Sequence, residues 1–269
     1  MVIFSAGDLA QTYDPPTYAD PTEQLQNYDR VQEYASRHPN AGRTKVGNAL
    51  DLPASRVRGW MNGVMPDAVR AVDAARDQGW VDCSPNTERG RAMATCVAAV
   101  FACGSVSSDW YRPSWAPSTR GAYHRLSGAL ELLHCDVGRR HADSSDRPTE
   151  LVLRGHETVF GRCLACAGAP TGDKEAATVE PLPEWLLDAS LQTRLTAAEL
   201  YLLERATTYE DKATVMVQTG NRSDEFRASL GRLFRGLTDE EVSVGTNIVL
   251  SAAAARDLGT GPDQRLRQQ

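Results

Sequence analysis

The sequence has almost no lysine. Only Lys45, Lys174 and Lys212 occur in 269 residues, while arginine supplies the other 26 of the 29 basic side chains, and aspartate outnumbers glutamate. With 35 acidic residues the formal net charge is −6, which argues against a generic polybasic nucleic-acid binder. No run of about 18 apolar residues is present, so no membrane-spanning helix is expected. The start, MVIFSAGDLAQTYD, lacks both a basic segment and a sustained apolar one, so it does not read as an export signal. Six cysteines (83, 96, 103, 135, 163 and 166) without such a signal are expected as reduced thiols in a cytoplasmic protein. Glycine-rich phosphate loops are missing. The five histidines (38, 124, 134, 141 and 156) are scattered, with no serine or cysteine at a recognisable catalytic spacing.

What is present divides the chain. Residues 1–19 show no periodicity and are expected to form a flexible arm. A helical domain is expected over 20–81. Asp20 caps its first helix, Pro21 suits the first helical position and Glu23 completes a capping box. Leu25, Tyr28, Val31 and Tyr34 then recur at helical spacing until His38-Pro39-Asn40 breaks the ladder near Arg37. Further helices fit 44–50, 53–63 and 66–79. The tight turn between the first two of these reads as a helix-turn-helix. Residues 82–90 read as a linker.

From Arg91 the pattern is α+β and occurs twice. The first unit (91–188) reads as helix 91–103, strand 104–112, helix 118–133, strand 149–154 and helix 156–168. The second (193–258) reads as helix 195–206, strand 212–218, helix 223–236, paired strands in 241–250 and helix 251–258. Two copies of one unit in one chain predict a monomeric pseudo-dimer, with a homodimer as the alternative. The tail, 259–269, is rich in Gly, Arg and Gln and is expected to be disordered.

Two segments give this architecture a resemblance. Cys96–Ser105 reads CVAAVFACGS, an apolar, small-residue helix ending in Gly-Ser. Between the units stands Gly168-Ala-Pro170-Thr-Gly172-Asp-Lys174, followed by Pro183-Glu-Trp185. Together they resemble the LAGLIDADG homing endonucleases. The resemblance implies a fold in which two motif helices pack closely at the centre, one from each unit. Ala98, Ala99 and Ala102 supply the small side chains such packing needs. It also implies one carboxylate at each helix end, holding metals that activate water and neutralise phosphate. The first such position here is Cys103, and a thiolate is a poor ligand for magnesium. In the second unit, AAELYLLERATT, one register places Arg205 at the acidic position and a one-residue shift places Glu204 there. No catalytic residue, metal or cofactor is therefore expected. The implied function is that of a nuclease-dead, sequence-specific double-stranded DNA-binding protein. A nicking or active endonuclease using Glu204 and an acid such as Asp109 is the alternative. An RNA-binding maturase-like or interaction scaffold is the third.

The residues expected to touch DNA fall in two places. In the strand 212–218, Ala213, Val215 and Val217 share one face, leaving Lys212, Thr214, Met216 and Gln218 on the other. In the strand 104–112, Val106 and Trp110 are expected inward, with Ser105, Ser107, Asp109 and Tyr111 outward and Arg154 joining them. In the helix-turn-helix, Ser55, Arg56 and Arg58 stand near the start of the recognition helix, while Arg43 and Lys45 are placed for phosphate. This helical unit joined to a LAGLIDADG-like one is similar in its parts to the WhiA-type transcription regulators, in reversed order. Cys163 and Cys166 form a C-x-x-C pair without the second pair a zinc site needs, and read as core thiols. The aspartate-rich, lysine-poor composition resembles that of salt-loving archaea. At 1 M salt the Debye length is about 3 Å, so DNA recognition there leans on hydrogen bonds and shape.

Overall fold

The computed structural model describes residues 1–13, 20–173, 180–209, 211–219 and 221–260. The chain starts with order rather than an arm. Ser5 and Asp8 form a reciprocal capping box on α1 (Ala6–Gln11), whose Leu9 and Ala10 are buried. Ile3 donates its N–H to the Cys83 carbonyl (3.0 Å), and Asp82 donates to the Phe4 carbonyl (3.1 Å). These bonds correct the expectation of a flexible arm as far as residue 13, and they pair the backbone of Asp82 and Cys83 within the segment 82–90 expected as a linker. Residues 14–19 lie outside the described residues.

Four helices follow: α2 (Pro21–Arg37), α3 (Arg43–Leu50), α4 (Ala54–Met61) and α5 (Asp67–Asp77). The three residues between α3 and α4 turn through Asp51 at φ +55°, and Leu52 donates back to the Gly47 carbonyl at 2.9 Å. A Cβ on Gly47 would lie 2.7 Å from the Leu52 carbonyl oxygen, so only glycine permits this closeness. Val46 and Val57 are fully buried, and Trp60 packs edge-on against Tyr28 of α2 at 5.6 Å.

The remainder is α+β, built from the same unit twice. The first copy runs α6 (Glu88–Cys103), β1 (Gly104–Val106), β2 (Pro113–Trp115), α7 (Arg120–Leu132), β3 (Val137–Arg140), β4 (Glu150–Leu153) and α8 (Glu157–Cys166). A short α9 (Glu184–Leu187) lies between the copies. The second runs α10 (Leu191–Arg205), β5 (Ala206–Tyr209), β6 (Lys212–Val217), α11 (Asp224–Arg235), β7 (Val242–Val244), β8 (Ile248–Leu250) and α12 (Ala252–Asp257). Each copy forms one antiparallel four-stranded sheet, in the order β1-β2-β4-β3 and β5-β6-β8-β7. These are the same topology.

The core is continuous from the N-terminal helices through both copies. Its axis is α6, in which every residue from Ala92 to Ala102 is buried. The inward faces of the sheets close over it with Val106, Trp115, Leu151 and Leu153 in one copy and Val215, Val217, Ile248 and Leu250 in the other. Gly104 sits where a Cβ would lie 2.3 Å from Trp115 Cδ1, so its missing side chain lets β1 pair with β2 over the indole. The turn segment between the copies is partly described. Gly172 donates to the Val106 carbonyl (2.8 Å), Trp185 donates its indole N–H to the Ala167 carbonyl (2.9 Å), and Lys174 lies outside the described residues. Of the expected tail, Thr260 donates to the Ala255 carbonyl (2.8 Å) and is buried. Residues 261–269 also lie outside.

Candidate nucleic-acid interface

The two central helices run side by side in the same direction, tied at both ends. At the start, Ser190 donates its N–H to Asn86 Oδ1 (2.8 Å) and Thr193 Oγ1 donates to the Pro85 carbonyl (2.9 Å). At the finish, Arg205 Nε donates to the Ala102 carbonyl at 2.6 Å. Backbone register relates the two finishes. Cys103 accepts from Ala116 N–H and Arg205 from Gln218 N–H, each at 2.9 Å, and the next residues pair as Gly104↔Trp115 and Ala206↔Val217. Arg205 therefore stands in the second copy where Cys103 stands in the first. One position holds a half-buried thiol and the other a guanidinium.

Glu204, one residue earlier, points its chemistry elsewhere. Its carboxylate accepts the Ser118 N–H (3.0 and 3.1 Å), the Ser118 hydroxyl (2.8 Å) and the Thr119 N–H (3.4 Å). Those groups begin α7 in the other copy, where orphan N–H groups and the helix dipole favour an anion. A reciprocal tie runs the other way: Arg222, just before α11, donates Nη2 to the Phe101 carbonyl of α6 at 2.9 Å. Each central helix thus ends against the start of the opposite copy's second helix. Glu204→Gln is expected to lower stability by about 1–2 kcal/mol, since a neutral amide caps less well than a carboxylate. DNA affinity is expected to be unchanged. A thermal melt beside a binding titration checks both.

The outward faces of the sheets follow from pairing. In the first sheet Ser105, Ser114, Val152 and Gly138 lie across from one another on one face. Arg140, Glu150 and Arg154 extend it at two-residue steps, and the Arg154 side chain crosses over Gly138, where a Cβ would lie 2.7 Å from its Nε. A cleft of about 450 Å³ on this face is lined by Ser105, Ser107, Trp110, Arg112, Ser114 and Arg140, among others. Carboxylates accompany its arginines: Arg112 pairs with Glu157 at 2.9 Å and Arg140 with Glu150. In the second sheet the corresponding face carries Thr207, Met216 and Val249, with Thr214 on β6 and Gln218 just beyond it. Gln218 Nε2 donates to Thr207 Oγ1 at 3.0 Å, and Lys212 stands 5.5 Å over the Tyr209 ring.

Four expectations for these strands are corrected. β1 ends at Val106, so alternation does not continue to residue 112. Trp110, expected inward, is 68% exposed in the connecting loop. Tyr111, expected on the outer face, turns back at φ +51° and stacks on Arg162, whose guanidinium lies 4.1 Å from the ring. The Tyr13 ring also lies 4.1 Å from the Arg162 guanidinium. Ser107 sits in the same loop, its hydroxyl accepting the Arg112 N–H at 2.9 Å. Ala213, expected among the apolar inward residues, is exposed because β5 and β6 shift register at Thr208/Tyr209 and extend beyond the core.

On the helical unit Arg43, Lys45, Ser55 and Arg58 are exposed and Arg56 is half-buried. All five lie on α3 or α4. The cysteines are core groups. Cys163 is fully buried, and burial raises its thiol well above the ordinary range, while it pushes Cys166 and Cys135 up to about 12. Among the described residues, no three His, Cys, Asp or Glu side chains come together as metal ligands. No helix among them is long and apolar enough to cross a membrane.

Sequence reasoning missed Ser114 and Arg140, because β2 and β3 are too short to show alternation, and Arg112, which stands in the loop before β2. It also missed Arg222 and Asn247. Both sit in turn-like stretches, where nothing in the residue pattern points toward the helix ends.

No protein-family model matches the sequence, and no curated protein matches it significantly. Among solved structures the chain is similar to the crystal structure of the N-terminal LAGLIDADG domain of DUF199/WhiA. The TM-score is 0.43 at 10% sequence identity, covering 70% of this chain and 92% of that one.

Proposed function

We propose that the chain binds double-stranded DNA across the outer faces of its two sheets, reads sequence there, and regulates transcription without cutting. One observation carries the reading. Two sheets of identical strand order flank the joined ends of α6 and α10, and those ends hold Cys103 and Arg205 where a metal-dependent nuclease needs carboxylates. The outer faces offer hydroxyls, amides and arginines, the groups that reach base edges and phosphates when strands enter a groove. Ser105, Thr207, Thr214 and Gln218 are the central readers, with Arg154 and Lys212 at the flanks. The α3–α4 pair supplies a second contact, with Arg56 and Arg58 toward bases and Arg43 and Lys45 toward phosphates. The engagement of Glu204 at the start of α7 favours this reading over a nuclease that uses it as a metal ligand. The protein acts as a cytoplasmic monomer whose two copies replace a dimer, and its acidic surface suits high salt.

Selection of bound sites from random duplex DNA at low and high salt, with the full chain, tests this. One enriched sequence is expected at both salts. A plasmid carrying that sequence is expected to stay supercoiled with magnesium or manganese. Specific double-strand cuts or nicks would overturn the non-cutting reading, and stronger binding to structured RNA than to duplex would move the ligand to RNA.

A further inference from the structure

A cleft of about 480 Å³ opens at the C-terminal ends of the central helices. Arg205 and Arg222 line it together with Gln218, Thr219, Asn221 and Asn247, and no carboxylate is among the described lining residues. In a chain of net charge −6, two guanidiniums on one cleft with no acid among its described lining residues make a local positive site.

We propose that this cleft is an oxyanion site in which Arg205 and Arg222 hold a phosphoryl group directly, without a bridging metal. The source of that group, a phosphodiester of duplex DNA, rests on the DNA-binding reading above.

Several features prepare the cleft for an anion. Each guanidinium is anchored by a carbonyl of the last turn of α6, Arg205 through Nε to Ala102 and Arg222 through Nη2 to Phe101. Such anchoring fixes the planes, so little side-chain entropy is lost when a phosphoryl oxygen arrives. Asn247 Oδ1 already accepts the Thr219 N–H at 2.9 Å, which leaves the amide N–H groups as what its carboxamide can offer. Burial, and the neighbouring Arg205, pull the Arg222 guanidinium below its ordinary range. A cation destabilised in this way gains when an anion enters. Burial raises the Tyr201 hydroxyl beside it to about 12, opposed by Arg222 and Arg205, so the tyrosine is neutral at physiological pH and supplies no competing negative charge. In a metal-dependent nuclease two carboxylates and a cation would meet the phosphate. Here the protein carries the positive charge itself.

The test compares native protein with Arg205→Gln, Arg222→Gln and the charge-keeping Arg205→Lys, in buffer containing EDTA. Two ligands are used: a mixed-sequence duplex followed by fluorescence anisotropy across a salt series, and inorganic pyrophosphate followed by calorimetry. Both glutamine variants are expected to weaken duplex binding about tenfold and to reduce the salt slope by about one, with the lysine variant keeping the slope. Pyrophosphate is expected to bind native protein and to compete with duplex. Duplex binding with native slopes in all variants and no pyrophosphate binding would overturn this inference and leave the DNA reading standing. Pyrophosphate binding that needs both arginines, without any duplex binding, would keep the oxyanion site and overturn the DNA reading. If a glutamine variant does not fold by circular dichroism, the lysine variant and the pyrophosphate titration of native protein still decide the matter.

Discussion

Alanine at position 161 is expected to cost roughly 3 kcal/mol or more of stability, although it replaces a glycine inside a helix. Such a change ordinarily stabilises a helix interior by about 0.5–1 kcal/mol. Here a Cβ would lie 1.6 Å from the Tyr111 carbonyl oxygen, 2.7 Å from its carbonyl carbon and 3.2 Å from Pro113 Cδ. The obstacle is backbone, which cannot swing aside as a flexible side chain would. It is also held: Tyr111 donates to the Ser107 carbonyl (3.0 Å), and Ser107 donates to that of Arg112 (3.1 Å). Either α8 moves away from the sheet or the 107–112 loop moves off α8, and both routes give up buried contact. A midpoint fall of roughly 6–12 °C by calorimetry follows for a chain of this size. Loss of the Tyr13–Arg162–Tyr111 stack accompanies it, since Arg162 is the next residue of α8 and donates to the Thr12 carbonyl. Trp110 and Arg112 ride on the same loop. Under the proposed function Gly161→Ala therefore lowers DNA affinity as well, and a midpoint unchanged within 2 °C or so would contradict the close approach.

What could be read from the sequence followed the length of each signal. The helix α2 was legible through its cap and apolar spacing, and the segment 212–218 through alternation over seven residues. β2, β3 and β5 were not. β2 opens with Pro113, β3 is Val137-Gly-Arg-Arg140 with one apolar side chain, and β5 directly continues a helix. Three or four residues cannot show a period, and these strands exist because neighbours pair with them. The α1 helix was legible in principle, since Ser5 and Asp8 stand at capping-box spacing. It was obscured by the Pro15-Pro16 that follows. Cys103 could be placed by the glycine after it. Arg205 and Glu204 could not be separated by pattern, because both end an amphipathic stretch. What separates them is pairing between strands.

The joint between the helical unit and the first copy turns on one side chain that composition could not single out. Trp80 is 1% exposed, stacks edge-on against Phe160 of α8 at 4.8 Å, and donates its indole N–H to the Leu133 carbonyl at 2.7 Å. Leu133 caps the C-terminus of α7, where helix carbonyls lack partners within the helix. The indole therefore contributes both packing and the satisfaction of a buried acceptor. Trp80→Ala is expected to lose about 3–5 kcal/mol from the cavity, with the abandoned carbonyl adding to the cost. Trp80→Phe keeps a ring against Phe160 and is expected to lose about 1–3 kcal/mol, the cost of the unsatisfied acceptor. Calorimetry separates the two variants. The alanine variant is also expected to split one transition into two, because Trp80 lies where α5 leaves the helical unit and meets α7 and α8. If both halves of the protein contact one DNA, their fixed relative orientation sets the spacing they can read. Loosening Trp80 then relaxes that spacing while leaving each half's own sequence preference intact.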